Sequence, residues 1–115
     1  MADGSLFVGL GDRLVSLSLT DLQLNFSREV DTFGVHGVHE SPIANQLLVH
    51  TELKILSVST SGEIIWEFSG ADILLSLKIE HVQLIVEDFN GCIYKLNPVN
   101  GKHFSLRKNG RGWIG

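Results

Sequence analysis

The sequence has little of what disulfide-stabilised, membrane-spanning or nucleic-acid-binding proteins need. Its 115 residues include a single cysteine, Cys92, so a disulfide within the chain is excluded and a small buried apolar side chain is the expected role. No apolar run approaches the roughly 18 residues of a membrane-spanning helix, and no secretory signal is visible at the N-terminus. The net charge of −4 lacks the basic footprint that nucleic acid or anionic membranes require. We therefore expect a cytoplasmic protein that binds neither nucleic acid nor membrane.

Catalytic and metal-binding patterns are missing as well. Serine, histidine and aspartate are present, but there is no nucleophile elbow and no glycine-rich phosphate loop. His36 and His39 are three positions apart, and on a strand such positions point to opposite faces, so we do not expect them to bind one metal ion. The sequence predicts no catalytic residue, no metal ligand and no cofactor, and an enzyme is not the expected class.

A repeat of about 40 residues dominates what is present. Each copy has a short apolar run, a polar turn, an alternating stretch, a second turn and a third apolar run. The copies align over residues 6–26, 47–68 and 84–106. Alternation with a period of two, in leucine, β-branched and aromatic residues, predicts strands rather than helices. Hairpin turns are indicated at Ser61-Gly62, Asn90-Gly91 and Asn100-Gly101.

Two further apolar runs, 35–38 and 73–77, lie between the copies and predict an additional first strand for the second and third units. The chain is then all-β, with about three four-stranded antiparallel meanders in one domain of residues 1–115. The expected units cover residues 6–26, 35–68 and 73–106. A repeat of this length favours the blades of a β-propeller, while a small barrel or sandwich remains an alternative.

The second and third units resemble the quinoprotein-like (PQQ-like) β-propeller repeat. In the second unit the matching residues are Ser61-Gly62-Glu63 and Trp66, whereas the first unit has Asp21-Leu22 at the glycine turn and no following tryptophan. In the third unit the matches are Asp88, Gly91, Tyr94, Leu96, Asn97, Gly101 and Lys102. The resemblance implies a propeller fold. The family includes PQQ-dependent alcohol and glucose dehydrogenases and non-enzymatic scaffolds of outer-membrane assembly. This chain is much shorter than those enzymes, so the cofactor is not expected here.

Four residues of the repeat are expected to have structural roles. Gly62 and Gly101 allow the hairpin before the last strand of each unit to turn at low strain. Trp66 is expected to fill the space between adjacent blades, because a large flat ring suits the gap between two sheets. Tyr94 is expected to pack in a similar way.

Three blades do not close a ring, since propellers have four to eight. The chain begins on what would be the second strand of its first blade, and residues 112–115 read as an isolated first strand. We therefore expect a homodimer by strand exchange, in which residues 112–115 of one copy complete the first blade of the other and close a ring of roughly six blades. The alternative is that the chain is part of a longer propeller.

In such a meander, two sets of loops share one face and supply candidate binding residues. His36, on the first strand of the second blade, is a candidate for lining the central channel. The loop candidates are Arg28, Asp31, Asp88, Lys108 and Arg111. The expected function is a non-enzymatic interaction or scaffold module that binds another protein. The alternatives are binding of a small ligand or carbohydrate in inter-blade pockets or the channel, and an enzyme with a site at the dimer axis.

Overall fold

The computed structural model describes residues 4–32, 34–109 and 112–114, with the part from residue 106 onward described by its backbone alone. Within these residues the chain consists of strands and turns, without helix, in three antiparallel sheets. Sheet 1 contains β1 (Ser5–Leu10), β2 (Arg13–Ser18) and β3 (Leu24–Glu29). Sheet 2 contains β4 (Val35–Glu40), β5 (Gln46–Thr51), β6 (Lys54–Ser59) and β7 (Ile64–Ser69). Sheet 3 contains β8 (Leu74–Glu80), β9 (Gln83–Asp88), β10 (Cys92–Leu96), β11 (His103–Asn109) and β12 (Gly112–Ile114).

Each sheet is a meander in which strands pair in the order of the chain. This confirms the predicted all-β class and the predicted number of units. The hairpins between the last two strands of the predicted repeat turn at positive φ, which reaches 97° at Gly62 and 73° at Gly101. Leu22 occupies the corresponding place in sheet 1 with a φ of 59°, a conformation that is unfavourable for a leucine.

The hydrophobic core forms two layers, one on each side of sheet 2. The layer between sheets 1 and 2 contains Phe7, Leu14, Val30, Leu47, Val49, Leu56 and Val58. The layer between sheets 2 and 3 contains Leu48, Ile55, Trp66, Phe68, Leu74, Leu84, Val86, Tyr94 and Leu96. Neighbouring residues of β5 and β6 therefore point into different layers, which explains why these strands are almost continuously apolar. Sheets 1 and 3 contribute one face each.

The strand pairs of the three sheets share most of their irregularities. A register shift follows Ser16 in the β2–β3 pair and Ser57 in the β6–β7 pair, and these serines face Phe26 and Trp66. The β10–β11 pair has no such shift. Sheet 3 therefore departs from the other two at its last pair of repeat strands.

The number of strands rises from three in sheet 1 to five in sheet 3. Gly112–Ile114, expected from sequence to stand apart as the first strand of a further blade, pairs with β11 of its own chain, with Lys108 opposite Trp113. Among the residues that the structure describes, β1 is an edge strand of sheet 1 and pairs with β2 alone. An open cleft of about 320 Å³ lies beside it, bordered by Phe7, Gly9 and Val35.

Candidate interaction surfaces

The loop face predicted from the sequence is held together by backbone hydrogen bonds between consecutive units. The Val35 amide of β4 donates to the Gly11 carbonyl at 2.7 Å, and the Leu74 amide of β8 donates to the Glu52 carbonyl at 2.8 Å. In each case the first residue of one sheet is bonded to a hairpin of the preceding sheet. These hydrogen bonds therefore fix the loops of neighbouring sheets to one another, so the loops of this face are not independent.

Asp88 was predicted as a binding residue, and its carboxylate accepts hydrogen bonds within its own hairpin. The side chain is 2% exposed. Its Oδ1 accepts hydrogen bonds from the amides of Asn90 and Cys92 at 2.9 Å each, and its Oδ2 accepts one from the Tyr94 hydroxyl at 3.0 Å. Burial, assisted by this carboxylate, raises the pKa of Tyr94 to about 12. The pair stabilises the turn between β9 and β10.

Asp31 performs a related task between sheets 1 and 2. It is buried, and the Thr51 hydroxyl donates to its Oδ2 at 2.5 Å. The Lys54 amide in turn donates to the Thr51 hydroxyl oxygen at 3.0 Å. The carboxylate thus links the connection after β3 to the hairpin after β5. Composition alone could not separate these buried carboxylates from exposed ones.

The remaining sequence candidates are dispersed. Arg28 is exposed within β3 rather than in a loop, and His36 is exposed on β4. Lys108 belongs to β11, where its backbone pairs with β12. Arg111 lies outside the described residues. Arg28, His36 and Lys108 belong to three different sheets, so the structure does not bring these three into one site.

Three histidines lie near the start of sheet 2. The register shift between Val35 and Gly37 interrupts the simple alternation from which His36 and His39 were expected to point apart. The His36 ring lies 5.9 Å from that of His50, centroid to centroid. A Cβ placed on Gly37, which pairs with His50, would lie 3.2 Å from the His39 Nε2 atom.

His50 is the buried member of this group. Its Nε2 atom lies 3.3 Å from the Leu74 carbonyl oxygen, an acceptor, so this nitrogen carries the proton. Burial lowers the pKa of His50, the Leu74 carbonyl opposes the shift, and His36 and His39 lower it further. No set of three or more acidic, cysteine or histidine side chains within the described parts of the chain is arranged to hold a metal ion.

Two contacts between sheets join an aromatic ring to a glycine turn. The Trp66 indole covers Gly101 of sheet 3, and its Nε1 donates to the Pro98 carbonyl at 2.8 Å. Phe26 of sheet 1 covers Gly62 of sheet 2 in the same way, with its ring 3.0 Å from the position of a Cβ at Gly62. Sequence reasoning missed Phe26 because it searched the first unit for a tryptophan. The available signal was an aromatic residue, tryptophan or phenylalanine, at the position that aligns with Trp66 in the repeat.

The outer faces of sheets 1 and 3 carry apolar residues, and no other sheet of the described part of the chain packs on them. In sheet 1, Leu6 pairs with Leu17 and Val8 with Val15, on the face opposite the core residues of the same strands. The corresponding residues of sheet 2 are Leu47, Val49, Leu56 and Val58, which are fully buried. Leu6 is 38% exposed. A surface that is core in the neighbouring repeat is therefore partly open to solvent here, at Leu6 rather than at Val15, which is 8% exposed.

The outer face of sheet 3, on the side away from sheet 2, also carries apolar residues. Leu84, Val86 and Tyr94 face sheet 2, which leaves Ile85 and Ile93 on the outer face. Phe104 pairs with Lys95, as Trp66 pairs with Ser57, and it is 55% exposed. A pocket of about 340 Å³ opens beside it, lined also by Lys95, Lys102, Pro98 and Val99.

No family model matches the chain, and no curated protein matches it in sequence. Solved structures do match in fold. Sqt1 from Saccharomyces cerevisiae has a TM-score of 0.73 at 18% identity, over 89% of this chain and 30% of that protein. The β-propeller domain of Cps50 (Swd1) from Myceliophteria thermophila gives 0.75 at 13%, over 91% and 35%. BamB from Moraxella catarrhalis gives 0.69 at 17%, over 93% and 34%.

The chain therefore has the fold of a partial β-propeller, and each sheet is a blade. It spans about a third of the length of the structures that it matches. These similarities support β-propellers in general, and they do not single out the PQQ-like group. No helix long and apolar enough to span a membrane occurs in the described part of the chain.

Proposed function

We propose that the chain is a non-enzymatic protein-interaction module of the β-propeller class that acts in the cytoplasm. The observation that carries this proposal is that two sheet faces with apolar residues have no neighbouring sheet among the described residues, whereas their counterparts at the internal contacts are buried. Large apolar surfaces of this kind mark binding sites for other proteins. The carboxylates that a catalytic or ligand-binding reading would use, Asp31 and Asp88, are instead engaged in holding the loops.

Two copies of the chain would supply six blades, a number within the range of closed propellers. The open edge of β1 and the cleft beside it offer a place for a strand of a second copy, and residues 112–115 are the proposed strand. In that arrangement β12 leaves β11 and completes the first blade of the partner, so that each sheet has four strands. Pairing of an added strand with an open edge is an established way for proteins to associate.

Light scattering over a micromolar concentration series tests this pairing, and we expect the mass of two chains. Deletion of residues 112–115 should shift the equilibrium toward single chains if strand exchange contributes. A clean monomer at the highest concentration would contradict the pairing. Capture of a protein partner from solution should then be compared between the wild type and a variant with a polar outer face, Leu6→Ser with Leu17→Ser. Equal capture by both would contradict the role of the apolar face in binding.

A second candidate function is binding of a small anionic or carbohydrate ligand. The pocket beside Phe104 favours it, because two lysines and an aromatic ring line one concavity of about 340 Å³. Trp66 donates to the Pro98 carbonyl at the same pocket, so its fluorescence should report an occupant. On a Trp113→Phe background, a ligand panel should change this emission and lose its effect in Lys102→Met. Absence of any response would reject the pocket as a ligand site.

A further inference from the structure

The hairpin before the last strand of each blade receives an aromatic ring from the preceding blade, except in blade 1. The turns of blades 1 and 3 have the same bonds: Leu22 donates its amide to the Ser18 carbonyl and Gly101 donates its amide to the Asn97 carbonyl, both at 2.8 Å. Leu22 therefore stands where Gly101 lies under Trp66. The Leu22 side chain is 64% exposed, and the residue has an unfavourable positive φ. Nothing within the described residues covers it.

The opposite irregularity is found at the other end of the array. Phe104 lies at the register position of Trp66 and Phe26, but the bulge that precedes those two rings is missing from its strand pair. The Phe104 ring would therefore contact a following blade from a different position along its strand than Trp66 and Phe26 do. Its ring is also smaller than that of Trp66. Blade 1 thus has a leucine at the turn that would contact an aromatic ring, and blade 3 has its ring on a strand pair without the bulge. These two differences lie on the faces that would meet if blade 3 of one copy packed on blade 1 of another, in a head-to-tail contact.

The charges at these places are also complementary. At the internal contacts the residue opposite the aromatic ring is a serine, Ser16 or Ser57, and on the outer face of blade 3 it is Lys95. The residue before the glycine of the receiving turn is neutral in blades 2 and 3, whereas before Leu22 it is Asp21. A cation and an anion thus replace neutral residues on the two faces that would meet. Opposite charges facing each other favour this pairing over other orientations.

We infer that the outer face of blade 3 binds the outer face of blade 1 of a second copy, with Phe104 over Leu22 and Lys95 beside Asp21. The inference rests on the proposed pairing of two copies and specifies which blades meet, namely blade 3 of one copy and blade 1 of the other. Ile85 and Ile93 then cover Leu6, Val8 and Leu17 of the partner, as the equivalent residues of blades 1 and 2 cover each other. Two identical contacts close the ring, so the assembly stops at two chains.

Sedimentation velocity over a concentration series tests the contact. Phe104→Ser should raise the dissociation constant about tenfold or more, because a buried aromatic ring at the centre of a contact is lost. Phe89→Ser is the matched control, since Phe89 is also an exposed aromatic of blade 3, 70% exposed, but lies in the turn between β9 and β10. It should leave the constant unchanged. An equal effect of both variants, or none from Phe104→Ser, would overturn the inference.

The ion pair provides a second readout that does not depend on the core of the contact. Lys95→Glu should weaken association about fivefold by placing two carboxylates together. Adding Asp21→Asn should recover most of the loss, because it removes one charge. Asparagine still accepts the Gln23 amide, as Asn100 accepts that of Lys102 in blade 3. Failure of Asp21→Asn to recover any affinity would count against the assigned direction.

Direction is tested by disulfide cross-linking on a Cys92→Ala background. A mixture of Leu22→Cys and Phe104→Cys chains should form a cross-linked heterodimer, whereas either variant alone should not. Cross-linking of Phe104→Cys to itself would overturn the head-to-tail arrangement. A wild-type chain that sediments as a monomer would refute the pairing itself, and a dimer indifferent to Phe104→Ser would refute the contact alone.

Discussion

The indole of Trp66 lies so close to Gly101 that a Cβ atom at position 101 would be 2.6 Å from its Cε3 atom. The same ring donates a hydrogen bond to Pro98, three residues before Gly101. Blade 2 is thereby joined to the turn of blade 3 by one side chain. Phe26 and Gly62 repeat the ring contact between blades 1 and 2.

Gly101→Ala should lower the free energy of unfolding by about 2–4 kcal/mol, because the methyl group meets the indole as well as an unfavourable φ. Gly91→Ala is the matched control. Gly91 also has a positive φ, of 81°, but nothing lies within 4 Å of the added Cβ, so its cost should be only about 1 kcal/mol. Urea denaturation measures both. Equal losses would mean that the ring contact contributes nothing.

Tyr94 should ionise with a midpoint near pH 12 rather than at its ordinary value of 10. It is the only tyrosine in the sequence, so absorbance at the phenolate band reports it alone. Since the folded-state pKa is raised, its contribution to stability is present below pH 10 and is lost as the pH rises toward 12. Asp88→Asn should lower the midpoint by removing the neighbouring charge. A midpoint near 10 in protein shown by circular dichroism to be folded would contradict the contact.

His50 should make the protein less stable in mild acid. Its folded-state pKa is lowered from 6.5, so the stability it contributes is present above pH 6.5 and is lost as the pH falls through the folded value. Denaturation in urea between pH 7.5 and 5 should show this decline. His50→Gln keeps a donor for the Leu74 carbonyl and should flatten it. An unchanged slope in the variant would exclude His50 as the source.

The hairpin between β8 and β9 should gain stability from residues that suit its geometry. His81 and Val82 both have positive φ, 49° and 65°, and a β-branched residue is strained there. Replacement by Asn-Gly should raise the free energy of unfolding by about 1–2 kcal/mol. As a control, Asn45→Gly at a φ of 62° should change it little, because asparagine already tolerates this region. A loss from Asn-Gly would contradict the assignment of strain.

The strands and their order were predictable because alternation and turn residues are local properties of the sequence. β5 and β6 were identified in this way, although their nearly continuous apolar character reflects burial on both faces. The glycine turns at Gly62 and Gly101 were equally visible. The pairing of β12 with β11 was not, because the ladder that an isolated three-residue strand joins depends on edges formed elsewhere.

The candidate site was harder to predict because it depends on burial and register. Asp31 and Asp88 were predicted as loop candidates for binding, yet their neighbours in space supply hydroxyl and amide donors from residues up to 20 positions away. His36 and His39 were placed by simple alternation, although Gly37, an isolated glycine inside the strand pattern, was a signal for the register shift between Val35 and Gly37. Pattern reasoning finds strands more readily than it finds bulges.

Blade 2 has neighbours on both faces, and blades 1 and 3 have one each. In a single chain, opening of an end blade exposes one core layer, whereas opening of the middle blade exposes two, so there the amide protons of β5 and β6 should exchange with solvent more slowly than those of β1 and β11. Ring closure would abolish that gradient, since every blade would then be a middle blade.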